Sequence, residues 1–435
     1  MTFYRIMKKK AKTKDNENKV FIYSNACERR SIDAKKICTY ITNQGYEIVN
    51  DPKYANYIIL VTCGFVESVS DRCLELIKEF QEYNAELIVA GCLVDIIPDK
   101  VKQVFDGRMI PTKNLDSIDD IFKDAALKFS NLDDEHTMWY NFDRGSVILV
   151  FKSIVKEFLV LRRMHNWVKE NTLKKLFGEN FDKTFPFNRI YPEKESYCIS
   201  ISRGCIHNCS YCAIRKAVGK LKSKPLDQCI KEFKIGLSEG HTHFVLEADD
   251  VGHYGIDIKS SLPELLDTMT NIDGDYIIEL KNFHPMWIIR YADEFEKILK
   301  RKKLKIILLS IQSGNDRILK LMRRSYKIND LITTMSRLKN ADPDLKLGVH
   351  LMVGFPSETN DEFNDTLKLF DKVQLDFGSI FSFSSQEGTD ADAMEPKLTK
   401  SEMRKRMRHA LKFLRKKNYF AWYSGINESI SFYKK

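Results

Sequence analysis

The stretch YCISISRGCIHNCSYC, residues 197–212, decides the fold. Its first six residues carry apolar side chains at alternate positions, which predicts a short β-strand. Three cysteines, Cys205, Cys209 and Cys212, follow directly with C-x3-C-x2-C spacing. Three thiolates on one loop can bind three irons of a four-iron cluster and leave the fourth iron open to a small chelating ligand. The stretch therefore predicts a strand that ends in an iron–sulfur site.

A zinc site is the alternative for these three thiols. His207 lies between two of the cysteines and could supply the fourth protein ligand that structural zinc sites need. The position of the loop, directly after a strand in a repeated strand–helix pattern, favours the cluster.

The pattern repeats downstream of this stretch. Apolar runs predict six strands, at 197–202, 242–247, 275–280, 304–311, 346–353 and 377–383. Helical periodicity between them predicts helices at 226–239, 286–298, 328–340 and 360–372. Strands that alternate with helices indicate a parallel sheet, and six such units predict a partial, TIM-like (β/α)6 barrel with its functional site at the carboxyl ends of the strands.

A second α/β pattern lies upstream. Strands are predicted at 20–24, 57–62 and 86–90, with helices at 31–44 and 66–83, so we expect an N-terminal open parallel sheet. Cys27, Cys63 and Cys92 each come just after one of these strands. Because ligands bind at the carboxyl edge of open α/β sheets, we expect the three thiols to converge on a second metal centre. Any one of them alone would more simply be a small buried residue.

These patterns divide the chain into five segments. We expect a basic N-terminal tail (1–18), the open-sheet domain (19–130), a helical insertion (131–192), the barrel (193–390) and a basic C-terminal helix with a tail (391–435). The insertion has a helical core at 147–177, which could cover the active site, bind a partner or simply link the domains. The C-terminal helix, at 397–417, carries an apolar stripe that should dock on the barrel.

Composition indicates an intracellular globular protein. Of the 435 residues, 43% are hydrophobic and 30% are charged, which excludes a disordered chain. We find no signal peptide and no apolar run long enough to span a membrane, so we expect a cytoplasmic location. The ten cysteines then favour metal binding or catalysis over disulfides. The net charge of +10 suits a nucleic acid or another acidic partner, but a solvated lysine-rich surface explains it equally well.

Several motifs carry a resemblance to a known family. They are CSYCAI at 209–214, DVGHYG at 250–255, HP at 284–285, QSGND at 312–316 and VGFPSET at 353–359, together with the two cysteine triads. In this order they resemble the radical S-adenosylmethionine (SAM) methylthiotransferase family over residues 20–115 and 196–420.

The resemblance implies two 4Fe–4S clusters and SAM as cofactors. The cluster on Cys205, Cys209 and Cys212 would reduce SAM to give a 5′-deoxyadenosyl radical, which abstracts hydrogen from an unactivated carbon. The auxiliary cluster on the other triad would supply sulfur methylated by a second SAM. An electron donor such as flavodoxin or ferredoxin would complete the system.

The resemblance also implies further cofactor contacts. Tyr211 precedes the last cysteine of the loop, Asp249 and Asp250 follow the second barrel strand, and Gln312 ends the fourth. All four are candidate cofactor-binding residues. Plain loop polarity explains the two aspartates and the glutamine equally well.

Departures from the family pattern indicate which class of substrate to expect. Members usually carry a C-terminal TRAM domain, which we do not expect here, and a proline and an arginine after the catalytic loop, where this chain has Arg215 and Val218. With the added insertion, these differences favour a peptide or protein substrate, such as a ribosomally synthesised precursor peptide. The alternatives are a tRNA adenosine substrate, a different radical SAM carbon–sulfur bond-forming enzyme, and a regulatory protein that merely holds clusters.

Overall fold

The computed structural model describes residues 18–122, 127–139, 141, 196–424 and 428–435. Two main sheets and the helices that cover them make up these residues.

The N-terminal sheet has five parallel strands. They are β1 (Lys19–Asn25), β2 (Glu47–Ile48), β3 (Tyr57–Thr62), β4 (Glu86–Gly91) and β5 (Arg108–Pro111), in the order β2-β1-β3-β4-β5. The helices are α1 (Glu28–Asn43), α2 (Glu67–Phe80), α3 (Leu93–Ile96) and α4 (Pro98–Val104). In β3, Ile58 and Leu60 pack on the side of α2, whereas Ile59 and Val61 pack on the side of α1. Because helices cover both faces, this strand is an uninterrupted apolar run, and the predicted open parallel sheet is confirmed.

The register of the sheet brings three strand ends together. Asn25 at the end of β1 pairs with Thr62 at the end of β3, and Thr62 pairs with Gly91 at the end of β4. Cys63 and Cys92 therefore leave the sheet side by side, and Cys27 follows two residues beyond β1.

The second sheet is the barrel. Its strands are β6 (Tyr197–Ser200), β9 (His243–Glu247), β10 (Ile277–Phe283), β11 (Leu304–Gln312), β12 (Lys346–Val353) and β13 (Phe377–Ser382), all parallel to their neighbours. A small hairpin of β7 (Ser202–Arg203) and β8 (Lys222–Ser223) flanks the cysteine loop. The predicted partial barrel of six strands is confirmed.

Helices alternate with the barrel strands. They are α5 (Ile214–Val218), α6 (Leu226–Ser238), α7 (Leu262–Thr270), α8 (Pro285–Arg290), α9 (Ala292–Leu299), α10 (Asp316–Leu321), α11 (Ile328–Ala341), α12 (Asn360–Lys372) and α13 (Lys400–Lys416). One helix was predicted over 286–298, but the structure has two, because the backbone leaves helical geometry at Tyr291.

The C-terminal residues extend the barrel sheet. A tail was predicted after the last helix, but residues 419–434 include β14 (Tyr419–Ser424) and β15 (Ser429–Lys434), and β15 pairs antiparallel with β13. Apolar side chains at alternate positions, among them Ile430 and Phe432, enter the barrel core. That period of two is the physical reason for strands here.

Contacts between the two sheets involve charged side chains. Lys281 on β10 pairs with Glu28 at the start of α1 at 2.7 Å. Asp134 accepts from Lys36 on α1 at 2.9 Å and lies 2.8 Å from Lys224 beside the barrel.

Only the beginning of the predicted insertion is described. His136 stacks on Tyr197 of β6 with 4.2 Å between ring centroids, and the Trp139 N–H donates to the Ser31 carbonyl at 3.0 Å. The predicted helix at 147–177 and all but the last residue of the N-terminal tail lie outside the described residues. Within the described ranges, no helix combines the length and the apolar character needed to cross a bilayer.

Candidate active site

The barrel triad lies on the loop between β7 and α5. A close backbone approach shapes this loop, because Gly204 has φ 84° and a Cβ there would lie 2.0 Å from the Lys220 carbonyl oxygen. Cys205, Cys209 and Cys212 are all partly exposed free thiols. Burial raises the pKa of Cys205 to about 12 and also raises that of Cys212. Metal binding at these thiols would therefore displace protons.

A buried arginine supports this loop. Arg324 donates from Nη1 to Cys209 Sγ at 3.6 Å and to Tyr211 Oη at 3.0 Å. Its charge can offset the negative charge of a bound cluster. Tyr211 packs from the other side into an apolar group that includes Phe355. Arg324 was not predicted from the sequence, since only the fold brings a residue 115 positions away to the loop.

Asp250 anchors the loop through His207. One carboxylate oxygen of Asp250 accepts from the backbone N–H of Gly252 and of His284, both at 3.0 Å. The other accepts from Trp287 Nε1 at 2.8 Å and lies 2.6 Å from His207 Nε2. Although burial opposes ionisation, these hydrogen bonds and the nearby His253 hold the pKa of Asp250 below its usual value.

Two candidate roles bear on this arrangement. Asp250, a candidate contact for SAM, faces four donors with its two oxygens. His207, the candidate fourth zinc ligand, turns Nε2 towards Asp250, which leaves Nδ1 as the nitrogen that could bind a metal. His253 brings a third possible ligand atom within 4.8 Å of these two, yet the saturated carboxylate makes the group a hydrogen-bonded anchor and not an open metal site.

The other two candidate contacts lie at the carboxyl edge of the barrel, as predicted. Asp249 accepts from the Gly204 N–H at 2.8 Å, directly before Cys205. Gln312 ends β11 with φ 76°, in the left-handed region, next to a break in the register with β12. Non-glycine residues in this region cluster at functional sites.

The N-terminal triad converges as predicted. The thiols of Cys27 and Cys63 share a hydrogen bond, which holds the pKa of Cys27 well below its usual value despite burial, with help from the charges of Arg29 and Arg30. Burial raises the pKa of Cys92 to about 11. Three thiols beside two guanidinium groups make a donor set that fits an iron–sulfur cluster.

Cys73 is a neighbour of this triad with a different role. Its fully buried thiol donates to the Cys63 carbonyl oxygen at 3.4 Å. It therefore supports the backbone of a triad member.

Arg29 connects the two triads. It donates from Nη1 to the Ala248 carbonyl at 2.9 Å, and its Nε lies 3.4 Å from Asp249. Asp249 in turn accepts from Gly204 in the barrel loop. Arg29, two residues after Cys27, is thus linked through Asp249 to Gly204, the residue before Cys205.

The inner face of the barrel is polar next to this connection. Glu247 is buried, and burial together with the charge of Glu28 raises its pKa to about 8, against the pull of Lys281. One of its oxygens, Oε1, has no hydrogen-bond partner among the described residues. On β12, burial and Lys281 lower the pKa of His350 to about 4. A barrel interior of this kind suits a polar, charged ligand.

Family comparisons agree with this division into two sheets. The model of the radical SAM superfamily matches residues 199–370, and that of uncharacterized protein family UPF0004 matches residues 19–110.

Relatives span most of the chain. A threonylcarbamoyladenosine tRNA methylthiotransferase of Thermotoga maritima is 29% identical over 89% of this chain and 80% of its own length. A probable enzyme of the same name from Pyrococcus horikoshii is 27% identical over 86% of this chain and 78% of its own. A ribosomal protein uS12 methylthiotransferase of Clostridioides difficile is 28% identical over 92% of this chain and 82% of its own.

A solved structure supports the fold. The radical SAM methyltransferase TsrM from Kitasatospora setae superposes with a TM-score of 0.55 at 10% identity, covering 86% of this chain and 77% of its own. The chain thus carries a radical SAM domain and a UPF0004 domain in this order, and over most of its length it is similar to tRNA and ribosomal-protein methylthiotransferases.

Proposed function

We propose that this enzyme uses two 4Fe–4S clusters to insert a methylthio group at an unactivated C–H bond. Cys205, Cys209 and Cys212 hold the cluster that cleaves SAM, and the N-terminal triad holds the auxiliary cluster. The observation that carries the proposal is the Arg29 link, which joins two separate cysteine triads through Asp249. A protein with one working cluster has no need for a second triad coupled to the first.

The cofactors, when bound, would supply a 5′-deoxyadenosyl radical on the barrel side and sulfur on the other. The chain's own residues do the positioning. Arg324 places positive charge beside Cys209, and Asp250 fixes the loop through His207. Gln312 and Asp249 remain the proposed contacts to SAM, and the polar inner face around Glu247 borders the space where its charged groups would bind.

The substrate we propose is tRNA. A peptide or protein substrate was expected from the sequence, but the predicted helical part of the insertion lies outside the described residues and adds no support. An exposed row of cations on α13 favours a nucleic acid, as do relatives named as tRNA methylthiotransferases. A protein substrate is the second candidate, because a relative named for ribosomal protein uS12 is equally similar. We expect flavodoxin or ferredoxin as the electron donor.

Iron content tests the cluster assignment. Fully loaded protein should bind about eight irons per chain. Alanine at Cys205, Cys209 and Cys212 should halve the iron and abolish 5′-deoxyadenosine formation from SAM. Alanine at Cys27, Cys63 and Cys92 should halve the iron, preserve SAM cleavage and block sulfur transfer.

A matched control replaces three other cysteines, Cys38, Cys198 and Cys229, with alanine. All three are buried and lie outside both triads, so the iron content should stay full. Full iron in the N-terminal triple variant would overturn the auxiliary cluster.

Labelled methyl groups from SAM test the substrate. The reconstituted enzyme is given total tRNA in one tube and peptides encoded beside its gene in another. Label in the tRNA supports the proposal, and label in the peptides alone would replace it with the second candidate.

A further inference from the structure

A row of five cations runs along the outer face of α13. Lys400, Arg404, Arg408, Lys412 and Lys416 are spaced four residues apart and all five are exposed, so each lies about 40° further around the axis than the one before and the row winds across the solvent side of the helix. At a rise of about 1.5 Å per residue, neighbours are about 6 Å apart along the axis and the row is about 24 Å long. We call this row the basic ridge.

The basic ridge has no acidic partner among the described residues. Other cations of the same segment do have one: Arg406 pairs with Glu358 at 2.6 Å, and Lys417 pairs with Asp371. Arg408 donates only to the backbone carbonyl of Arg404. Like charges four residues apart destabilise a helix, so the row has an unfavourable self-energy that an external anion would relieve.

The helix holds the basic ridge firmly in place. Met407, Ala410 and Leu414, on the opposite face, are buried in the barrel core, which confirms the predicted docking of the apolar stripe. A capping box between Thr399 and Glu402 fixes the first turn. The cations therefore stand on a rigid element.

The basic ridge begins on the rim of the barrel that carries the cysteine loop. Met403 packs against Gly354, and Arg406 binds Glu358, both just beyond the carboxyl end of β12. The segment that leads into α13 reaches the cysteine loop, because the Ala391 N–H donates to the Ser210 carbonyl at 2.9 Å. From that rim the row runs down the outside of the barrel.

We infer that the basic ridge binds the phosphate backbone of the RNA substrate while the modified nucleotide enters the barrel. This inference rests on the proposed function for the choice of RNA. Nucleic acid fits better than an acidic peptide because its charges recur at short, regular intervals whatever its sequence, as do the cations of the row. Such contacts release counterions and make affinity fall steeply with salt.

The test compares two triple variants with the same net charge. R404A/R408A/K412A removes the centre of the basic ridge. K231A/K234A/K297A removes three exposed lysines from α6 and α9, and none of these lysines forms an ion pair with another described residue. Binding of total tRNA is measured by fluorescence anisotropy from 50 to 200 mM salt, together with SAM cleavage in the absence of tRNA.

In the ridge variant, the slope of log affinity against log salt should become shallower by about one unit per residue removed. In the lysine control it should stay as in the wild type, and SAM cleavage should be unchanged in both variants. Equal losses in both variants, no tRNA binding by the wild type, or ridge-dependent binding of polyglutamate in place of tRNA would each overturn the inference. Absence of SAM cleavage in the wild type would instead contradict the proposed function and leave the binding result to stand by itself.

Discussion

Single residues show most clearly what the sequence can and cannot reveal about this site. The six cysteines were predictable because strand ends and C-x3-C-x2-C spacing are local features. Arg29, Arg324 and the distant partners of Asp250 (His207, His284 and Trp287) were not, because their roles depend on contacts between positions 34 to 219 residues apart. An arginine two positions after Cys27 is unremarkable until the fold places its guanidinium against Asp249.

Arg29→Gln should destabilise the apo protein by about 3 kcal/mol. The substitution leaves the Asp249 carboxylate, which is only 5% exposed, without its ionic partner, and an unpaired buried charge is costly. Urea unfolding under anaerobic conditions measures the change. Arg72→Gln, in a pair whose side chains are 50% and 66% exposed, is the control and should change stability by less than about 1 kcal/mol. Equal changes in unfolding free energy in the two variants would show that the Arg29–Asp249 pair stabilises the protein no more than an exposed surface pair does.

At the scale of elements, the strands with long apolar runs and the helices with clear apolar periodicity were predicted best. The bounds of β3, β12 and α12 match the expectation from sequence. Strands β2 and β5, with two and four residues, are too short to produce a period and were missed. The strands after α13 were missed because their alternation becomes decisive only once β13 offers an edge for pairing.

Gly354→Ala tests how tightly α13 packs on the end of β12. Gly354 has φ 78°, and a Cβ there would lie 2.1 Å from Met403 Cε. We expect the free energy of unfolding to fall by about 2–4 kcal/mol, because backbone strain and steric overlap add together. Gly240→Ala is the matched control, because its φ is 87° with no atom within 4 Å of the added carbon, so only the strain of about 1 kcal/mol remains.

The double variant G354A/M403A separates the two contributions. It removes the overlap but keeps the backbone strain. The stability lost on adding G354A to M403A should therefore be smaller than the stability lost on adding G354A to the wild type. Thermal unfolding of the four proteins measures this. Equal losses would mean that α13 does not pack against Gly354 as closely as described.

For the whole molecule, alternating periodicity was enough to predict two α/β sheets, since each is built from repeated local units. The way the sheets dock was not predictable, because it depends on ion pairs between distant segments. Asp134 is the clearest case: it lies in the segment expected to be an insertion, yet it holds Lys36 of α1 and Lys224 of the barrel together.

Asp134→Asn should therefore weaken docking in a pH-dependent way. Burial opposes ionisation of Asp134, but Lys224 and Lys36 outweigh it and lower the pKa well below its usual value. A carboxyl whose pKa is lowered on folding stabilises the native state above its unfolded pKa of about 4, and this contribution is lost as the pH falls through the folded value. The free energy of unfolding of the variant should be about 2 kcal/mol lower than that of the wild type at pH 7, and this difference should shrink towards pH 3.

Urea unfolding at both pH values measures the difference, with Asn at the exposed Asp116 as the control. A difference that does not change with pH would mean that the lysine pair does not stabilise the ionised form of Asp134.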